Sequence, residues 1–243
     1  MKTIAIIGLG NMGSAIQKLL QEDFEIIGIN RQHGALEDIT EADIIVLAVK
    51  PQSFDELAKE LKQYVNTQTI ISIMAGVTID AIASILGVTK VVRTMPNLAL
   101  AKGQSLTAWL THGGDVDTNI VQRILNTWGS SMQLDNEAQF DAFTAVVGSG
   151  PAYFFELTHQ LERAAIAQGF NEEQARQMSM QTLRGAASVL DDRDNAGDWV
   201  KRVASKGGTT EAAFKVFSER HFGRTIQAAV EAAIERSREF GRG

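Results

Sequence analysis

Through the first half of the chain, short apolar runs alternate with stretches of helical periodicity, the pattern of a parallel sheet covered by helices. Thr3 to Ile7, Phe24 to Ile29, Asp43 to Val49, Thr69 to Ile73, Lys90 to Thr94, Ser105 to Leu110 and Met132 to Leu134 read as strands. Helices are predicted over Asn11 to Gln21, Ser53 to Lys62, Thr78 to Leu86 and Asp115 to Trp128. From about Glu137 the pattern changes. Ala, Glu, Gln and Arg recur at helical spacing with no convincing strand. Breaks are expected at Gly148-Ser149-Gly150-Pro151, Gln168-Gly169, Asp191 to Gly197 and Gly207-Gly208. The three prolines, at 51, 96 and 151, fall at the ends of predicted elements, where a missing N–H does little harm.

The expected fold is therefore α/β, a doubly wound Rossmann-type domain over residues 1–136 followed by an all-helical domain over 137–243. At 243 residues the chain is long enough for two modest domains, each with its own core. A net charge of −6 gives no long-range attraction to nucleic acid or anionic lipid, so neither is expected as a partner. The apolar run Ile4 to Ile7 is short and leads into glycines, so it reads as neither a signal peptide nor a membrane span. A cytoplasmic protein is expected. The absence of cysteine excludes disulfides, thiolate metal sites and cysteine nucleophiles. The four histidines, at 33, 112, 159 and 221, include no pair at the close helical spacing of a metal site, and no metal is expected.

Candidate chemistry begins where the first strand ends. Gly8-Leu9-Gly10-Asn11-Met12-Gly13 follows that strand directly and opens a helix, the context that makes GxGxxG a dinucleotide signal. The first glycine allows the tight turn, the second lets a pyrophosphate approach the backbone, and the third permits close helix packing. The helix N-terminus then offers N–H donors and a favourable dipole. At the end of the second strand the chain reads Ile29-Asn30-Arg31-Gln32, without the acidic residue that would accept from the ribose hydroxyls of NAD. Arg31 can fork onto a 2′-phosphate and Asn30 can donate to it, which favours NADPH and leaves NADH as the alternative. Arg31 as a solvated turn residue is the competing reading.

Ala48-Val49-Lys50-Pro51 and Thr94-Met95-Pro96-Asn97 follow strands at their carboxyl ends, the edge where ligands lie in an open parallel sheet. Lys50 and Asn97 are candidates for the nicotinamide half of the cofactor, evenly balanced against ordinary loop residues. Further on, Ser205-Lys206-Gly207-Gly208-Thr209-Thr210 precedes a predicted helix. Its successive N–H groups can form a nest for a carboxylate, reinforced by the helix dipole. A helix capped by Thr209 or Thr210 explains the same residues equally well.

GLGNMG at 8–13, AVKP at 48–51, MPN at 95–97, GSGPAY at 148–153 and SKGGTT at 205–210 occur in the order and approximate spacing of the pyrroline-5-carboxylate reductases, and the chain resembles that family along nearly its whole length. GxGxxG followed by AVKP occurs also in hydroxyacid dehydrogenases and in cofactor-F420 reductases; GSGPAY and GGTT are more specific. The resemblance implies NADPH-dependent reduction of 1-pyrroline-5-carboxylate to L-proline. It implies a cofactor site of Gly8, Leu9, Gly10, Asn11, Met12, Gly13, Asn30, Arg31, Ala48, Val49, Lys50, Pro51, Met95, Pro96 and Asn97. It places the substrate carboxylate on the turn Ser205, Gly207, Gly208 and Thr209, the hydroxyl of Thr210 at the ring nitrogen as the catalytic contact, and Glu137 near the substrate amine. It also implies a homodimer, or a higher homo-oligomer, interlocked through the helical domain, with the active site between the domains. Gly148 to Tyr153 reads as structural, ending one helix and starting the next at Pro151.

Three positions depart from the family pattern. Lys206 stands where the family has proline, which removes a constraint on φ and adds a charge beside the expected carboxylate site. About eleven residues, Gln32 to Ala42, join the second and third strands, near the lower limit for a helical crossover, so an abbreviated adenine pocket is expected. Leu98-Ala99 replaces the threonine and proline that follow MPN. The rival readings are another imine or hydroxyacid oxidoreductase of this architecture, and a non-catalytic nucleotide-binding regulator.

Overall fold

All seven apolar runs become strands of one sheet: β1 (Thr3–Ile7), β2 (Glu25–Ile29), β3 (Ile44–Leu47), β4 (Thr69–Ser72), β5 (Val91–Met95), β6 (Ser105–Thr111) and β7 (Gly129–Gln133). Their spatial order is β2-β1-β3-β4-β5-β6-β7. In this computed structural model residues 1–191 and 193–240 are described. Asp192, inside the break expected over 191–197, and residues 241–243, at the end of the expected second domain, lie outside the described residues.

β1 through β5 run parallel, with Ile4 opposite Ile26 on one side and Ile44 on the other. β6 departs from the all-parallel expectation and pairs antiparallel with β5, Met95 opposite Ala108. The reason is chain length. A parallel return needs a crossover of a dozen or more residues, whereas Pro96 to Gln104 forms only a 3₁₀ turn ending at Gly103 in the left-handed region, φ 64°. β7 restores parallel pairing, against β6, after the helix α4 (Thr118–Trp128).

Alternate strand residues feed two cores because both faces of the sheet are covered. Ile4 and Ile6 pack with α1 (Asn11–Leu20) and α4, while Ala5 and Ile7 lie on the face of α2 (Phe54–Leu61) and α3 (Ile79–Leu86). The short second crossover contains no α-helix. Leu36–Glu41 is a 3₁₀ helix, fastened by Ile39, which is fully buried, and by the Ala35 N–H donating to Asp38 Oδ2 at 2.9 Å.

The Gly148 to Pro151 element ends one helix and starts the next, as expected, with Ser149 alone between them. α5 (Gln139–Phe143) runs into a π-turn at Thr144–Gly148, and α6 (Gly150–Ala167) starts one residue later. Ser149 keeps αR geometry, so the extra residue of Gly-Ser-Gly is absorbed by widening one turn. The remaining helices are α7 (Glu172–Ser188), α8 (Ala196–Val203), α9 (Thr209–Glu219) and α10 (Phe222–Phe240).

The chain divides into two compact units: Met1–Pro151 together with the segment from Ala232, and Ala152–Glu231. Within the first, Ser237 Oγ donates to Asp141 Oδ1 at 2.7 Å, fastening the end of α10 to α5. The second unit is helical and leaves large apolar side chains uncovered, among them Phe154, Leu157, Leu161, Phe214, Val216 and Phe217. Neither α8 nor α9 has a single buried residue. Among the described residues, no helix is long and apolar enough to cross a membrane.

Candidate active site

The sheet changes its direction of winding at β1, with β2 on one side and β3 on the other, so the crevice at the carboxyl ends of β1 and β3 is a topological switch point. Gly8 enters it with φ 99°, and a Cβ there would lie 2.6 Å from the Ala48 carbonyl oxygen. A Cβ on Gly13 would lie 1.9 Å from the Gly8 carbonyl oxygen. These two glycines let the start of α1 close onto β1 and β3. Gly10 is different: nothing lies within 4 Å of where its Cβ would be. It is the N-cap of α1, and no side chain caps that end. The open space and the uncapped N-terminus together fit a pyrophosphate, which supplies the anion that α1 lacks.

The cavity at this crevice has a volume of about 650 Å³, within the usual range for cofactor sites, and is bordered by Gly8, Gly10, Asn30, Arg31, Lys50 and Glu56. Asn30 shapes its far end. Its Oδ1 accepts from the N–H groups of Gln32 at 2.7 Å and His33 at 2.9 Å, and its backbone N–H donates to the His33 carbonyl at 2.9 Å. That closed turn presents Arg31 exposed at the cavity rim, leaving only the Asn30 Nδ2 as a donor toward a ligand. Lys50 is also exposed, with Pro51 opening a 3₁₀ turn behind it.

Met95, Pro96 and Asn97 lie at the end of β5, two strands beyond β3, and do not border this cavity. Met95 is buried in the sheet. The Asn97 side chain is engaged at both ends, accepting from the Ala99 N–H at 3.0 Å and donating from Nδ2 to the Val147 carbonyl at 3.2 Å.

In the helical unit, Ser205 to Thr210 forms the start of α9. Gly207 takes φ 76°, and the Gly208 N–H donates to the Ser205 carbonyl at 2.9 Å. Gly208 is the N-cap; Thr209 and Thr210 are the first two helical residues and neither hydroxyl caps the helix. The threonine cap considered from the sequence is therefore not formed. One donor of the expected nest is already answered from within: the Gly207 N–H donates to Glu211 Oε2 at 2.7 Å.

Glu137 sits in a second recess of the first unit, about 360 Å³, lined also by Thr78, Arg93, Asp141 and Arg238. Its Oε1 accepts from Arg93 Nη1 at 3.0 Å and from the Ile79 N–H at 2.9 Å, and among the described residues its other oxygen has no hydrogen-bond partner. Arg93 is 5% exposed, and its guanidinium lies 4.3 Å above the centre of the Phe140 ring. Sequence reasoning missed Arg93, although an arginine inside the apolar run Val91-Val92-Arg93-Thr94-Met95 was a usable signal, because such a buried charge requires a partner.

A glycine turn closed onto the switch point of a parallel sheet, an uncapped helix N-terminus and an exposed arginine at the end of β2 are the features of a dinucleotide-binding fold. Residues 137–240 match the family model described as pyrroline-5-carboxylate reductase dimerisation, and residues 18–76 match that of the coenzyme F420-dependent NADP oxidoreductases. The pyrroline-5-carboxylate reductase of Aquifex aeolicus is 31% identical over 259 residues, covering 98% of this chain and 97% of the relative. Pyrroline-5-carboxylate reductase 2 of Bacillus subtilis is 31% identical, covering 99% and 95%. Among solved structures, the Plasmodium falciparum pyrroline carboxylate reductase with NADP bound superposes with a TM-score of 0.89 at 25% identity, covering 99% of this chain and 98% of that one. The Coxiella burnetii pyrroline-5-carboxylate reductase gives 0.88 at 29%, covering 98% and 97%. This chain belongs to the pyrroline-5-carboxylate reductase family, uses a nicotinamide cofactor and carries that family's self-association region.

Proposed function

We propose that this enzyme reduces 1-pyrroline-5-carboxylate to L-proline with NADPH. The observation that carries this reading is the similarity at 31% identity over 98% of the chain, which takes in the cofactor turn and Ser205 to Thr210 together. When bound, the cofactor supplies a hydride for the imine carbon. The C=N π pair then stays on nitrogen, which a protonated imine accepts without a strong acid from the protein. What the chain must provide is binding and orientation.

Gly8 to Gly13 holds the pyrophosphate, Arg31 the 2′-phosphate, and Ala48 to Pro51 borders the cofactor from β3. The turn Ser205 to Thr209 offers backbone N–H groups to the substrate carboxylate, and the Thr210 hydroxyl, unused as a cap, is available to hydrogen-bond the ring nitrogen. Glu137 has one carboxylate oxygen left for an amine once Arg93 and Ile79 have taken the other. The reading includes a homodimer and a cytoplasmic location. Loss of NADPH absorbance on adding pyrroline-5-carboxylate, with proline as product and slower turnover with NADH, is the expected result. Tight NADPH binding without turnover of this imine would sink the proposal.

A further inference from the structure

Asn97 makes four hydrogen bonds within the protein. Its N–H donates to Ser105 Oγ at 3.0 Å, its carbonyl accepts from the Leu100 N–H at 3.1 Å, its Oδ1 accepts from the Ala99 N–H at 3.0 Å, and its Nδ2 donates to the Val147 carbonyl at 3.2 Å. The first three shape the loop that follows β5. The fourth leaves the loop and reaches the π-turn Thr144–Gly148, fifty residues further along the chain.

The identity of that acceptor is the informative part. In α-helical pairing the carbonyl of residue 147 is served by the N–H of residue 151, and residue 151 is proline, which has none. The Asn97 carboxamide takes the place of that missing donor. Val147 is only partly buried and packs on the sheet core, so its carbonyl has a fixed position against the sheet. π-turns are uncommon and recur at functional sites. Here one is cross-linked to the carboxyl edge of β5, where a parallel sheet carries its ligands.

We propose that Asn97 is a positioning residue: its Nδ2 registers the loop after β5 to the π-turn through the carbonyl that Pro151 cannot serve, and so sets the wall at the reactive end of the cofactor. The side chain acts through Val147, not by touching the cofactor itself. The inference deepens the proposed reductase reading and rests on it for its kinetic consequence. It predicts an effect on turnover larger than that on cofactor affinity, because the pyrophosphate turn and Arg31 lie elsewhere, whereas a small misplacement at the reacting end is costly.

Asn97→Asp keeps the Oδ1 that accepts from Ala99 and removes the Nδ2 donor. Its kcat should fall roughly tenfold or more, with the NADPH Kd, read by fluorescence, changed by less than about threefold. Pro151→Ala returns an N–H to Val147, competes with Asn97, and should lower kcat in the same direction. The double variant should be no worse than Asn97→Asp alone and should melt higher than it, since the stranded carbonyl regains a donor.

Losses in kcat that multiply, or an NADPH Kd raised more than tenfold by Asn97→Asp with Pro151→Ala silent, would overturn the proposal and make Asn97 a direct cofactor ligand. If Asn97→Asp does not fold, Pro151→Ala decides alone: lowered kcat at unchanged NADPH Kd supports it, and unchanged kcat refutes it. A wild-type chain inactive on pyrroline-5-carboxylate would count against the reductase reading. The coupling would then be judged by the melting temperatures of the same cycle, where additive changes refute it.

Discussion

Arg31 and Thr210 are the two side chains whose chemistry can be isolated by a single substitution. Arg31 stands exposed at the rim of the cofactor cavity, on a turn that Asn30 closes from within, so removing it alters a charge and leaves the scaffold intact. Losing one charge-assisted phosphate contact costs about 1.5 to 3 kcal/mol, roughly ten- to a hundredfold. Arg31→Ala should therefore raise the Kd of NADPH by that factor and leave NADH almost untouched; equal losses would remove the 2′-phosphate from the argument. Thr210→Val deletes the hydroxyl and keeps the β-branched shape. Since that hydroxyl does not cap α9, stability should hold while kcat falls by about tenfold, equivalent to about 1.4 kcal/mol. Unaltered kcat and kcat/KM would leave catalysis to positioning alone.

At the level of elements, ionic contacts join pieces distant in sequence. Arg93 on β5 pairs with Glu137 ahead of α5, with side chains 6% and 20% exposed, and the same carboxylate holds the first N–H of α3. Removing one partner of a buried pair leaves the other uncompensated. Arg93→Met should cost about 3 kcal/mol, measured by urea unfolding; a loss below about 0.5 kcal/mol would place the pair with ordinary surface bridges. Asp43, at the start of β3, accepts from Lys2 Nζ at 2.6 Å and from the Thr3 N–H at 2.9 Å. The Lys2 hydrogen bond foremost, then that of Thr3, holds its carboxyl below the usual aspartate value. A depressed folded-state value means that the contribution is complete above the ordinary range near pH 3.9 and is lost as pH falls through the lower folded value. Asp43→Asn should lower the melting temperature at pH 7, where the contribution is complete, and flatten the acid limb of the melting curve below about pH 4. An unchanged acid limb would refute this role.

For the whole molecule, the helical unit explains why association is needed. Ala152–Glu231 leaves phenylalanines, leucines and valines exposed along α6 and α9, more apolar surface than an isolated monomer carries without consequence. The match to the dimerisation model over residues 137–240 assigns that surface to self-association. Sedimentation of the intact chain should show no monomer at micromolar concentration. A fully active monomer would contradict the dimer.

Period and punctuation carried most of the fold. Strands buried on both faces read as near-continuous apolar runs, and glycines with one steric solution, such as Gly8 and Gly13, marked the cofactor turn from local spacing alone. Family motifs named the candidate residues. What the sequence by itself determined, then, was everything fixed by local backbone geometry and by a repeating pattern of burial. The tertiary structure decided the pairings between distant residues. Only folding brings Arg93 to Glu137 and Asn97 to Val147, because these contacts depend on where a strand end meets a helix, which no short-range pattern encodes. It also decided the form of the break at Gly148 to Pro151: local propensity reads Gly and Pro as a helix boundary, and the folded chain makes that boundary by widening into a π-turn whose Val147 carbonyl accepts from a side chain in the loop after β5.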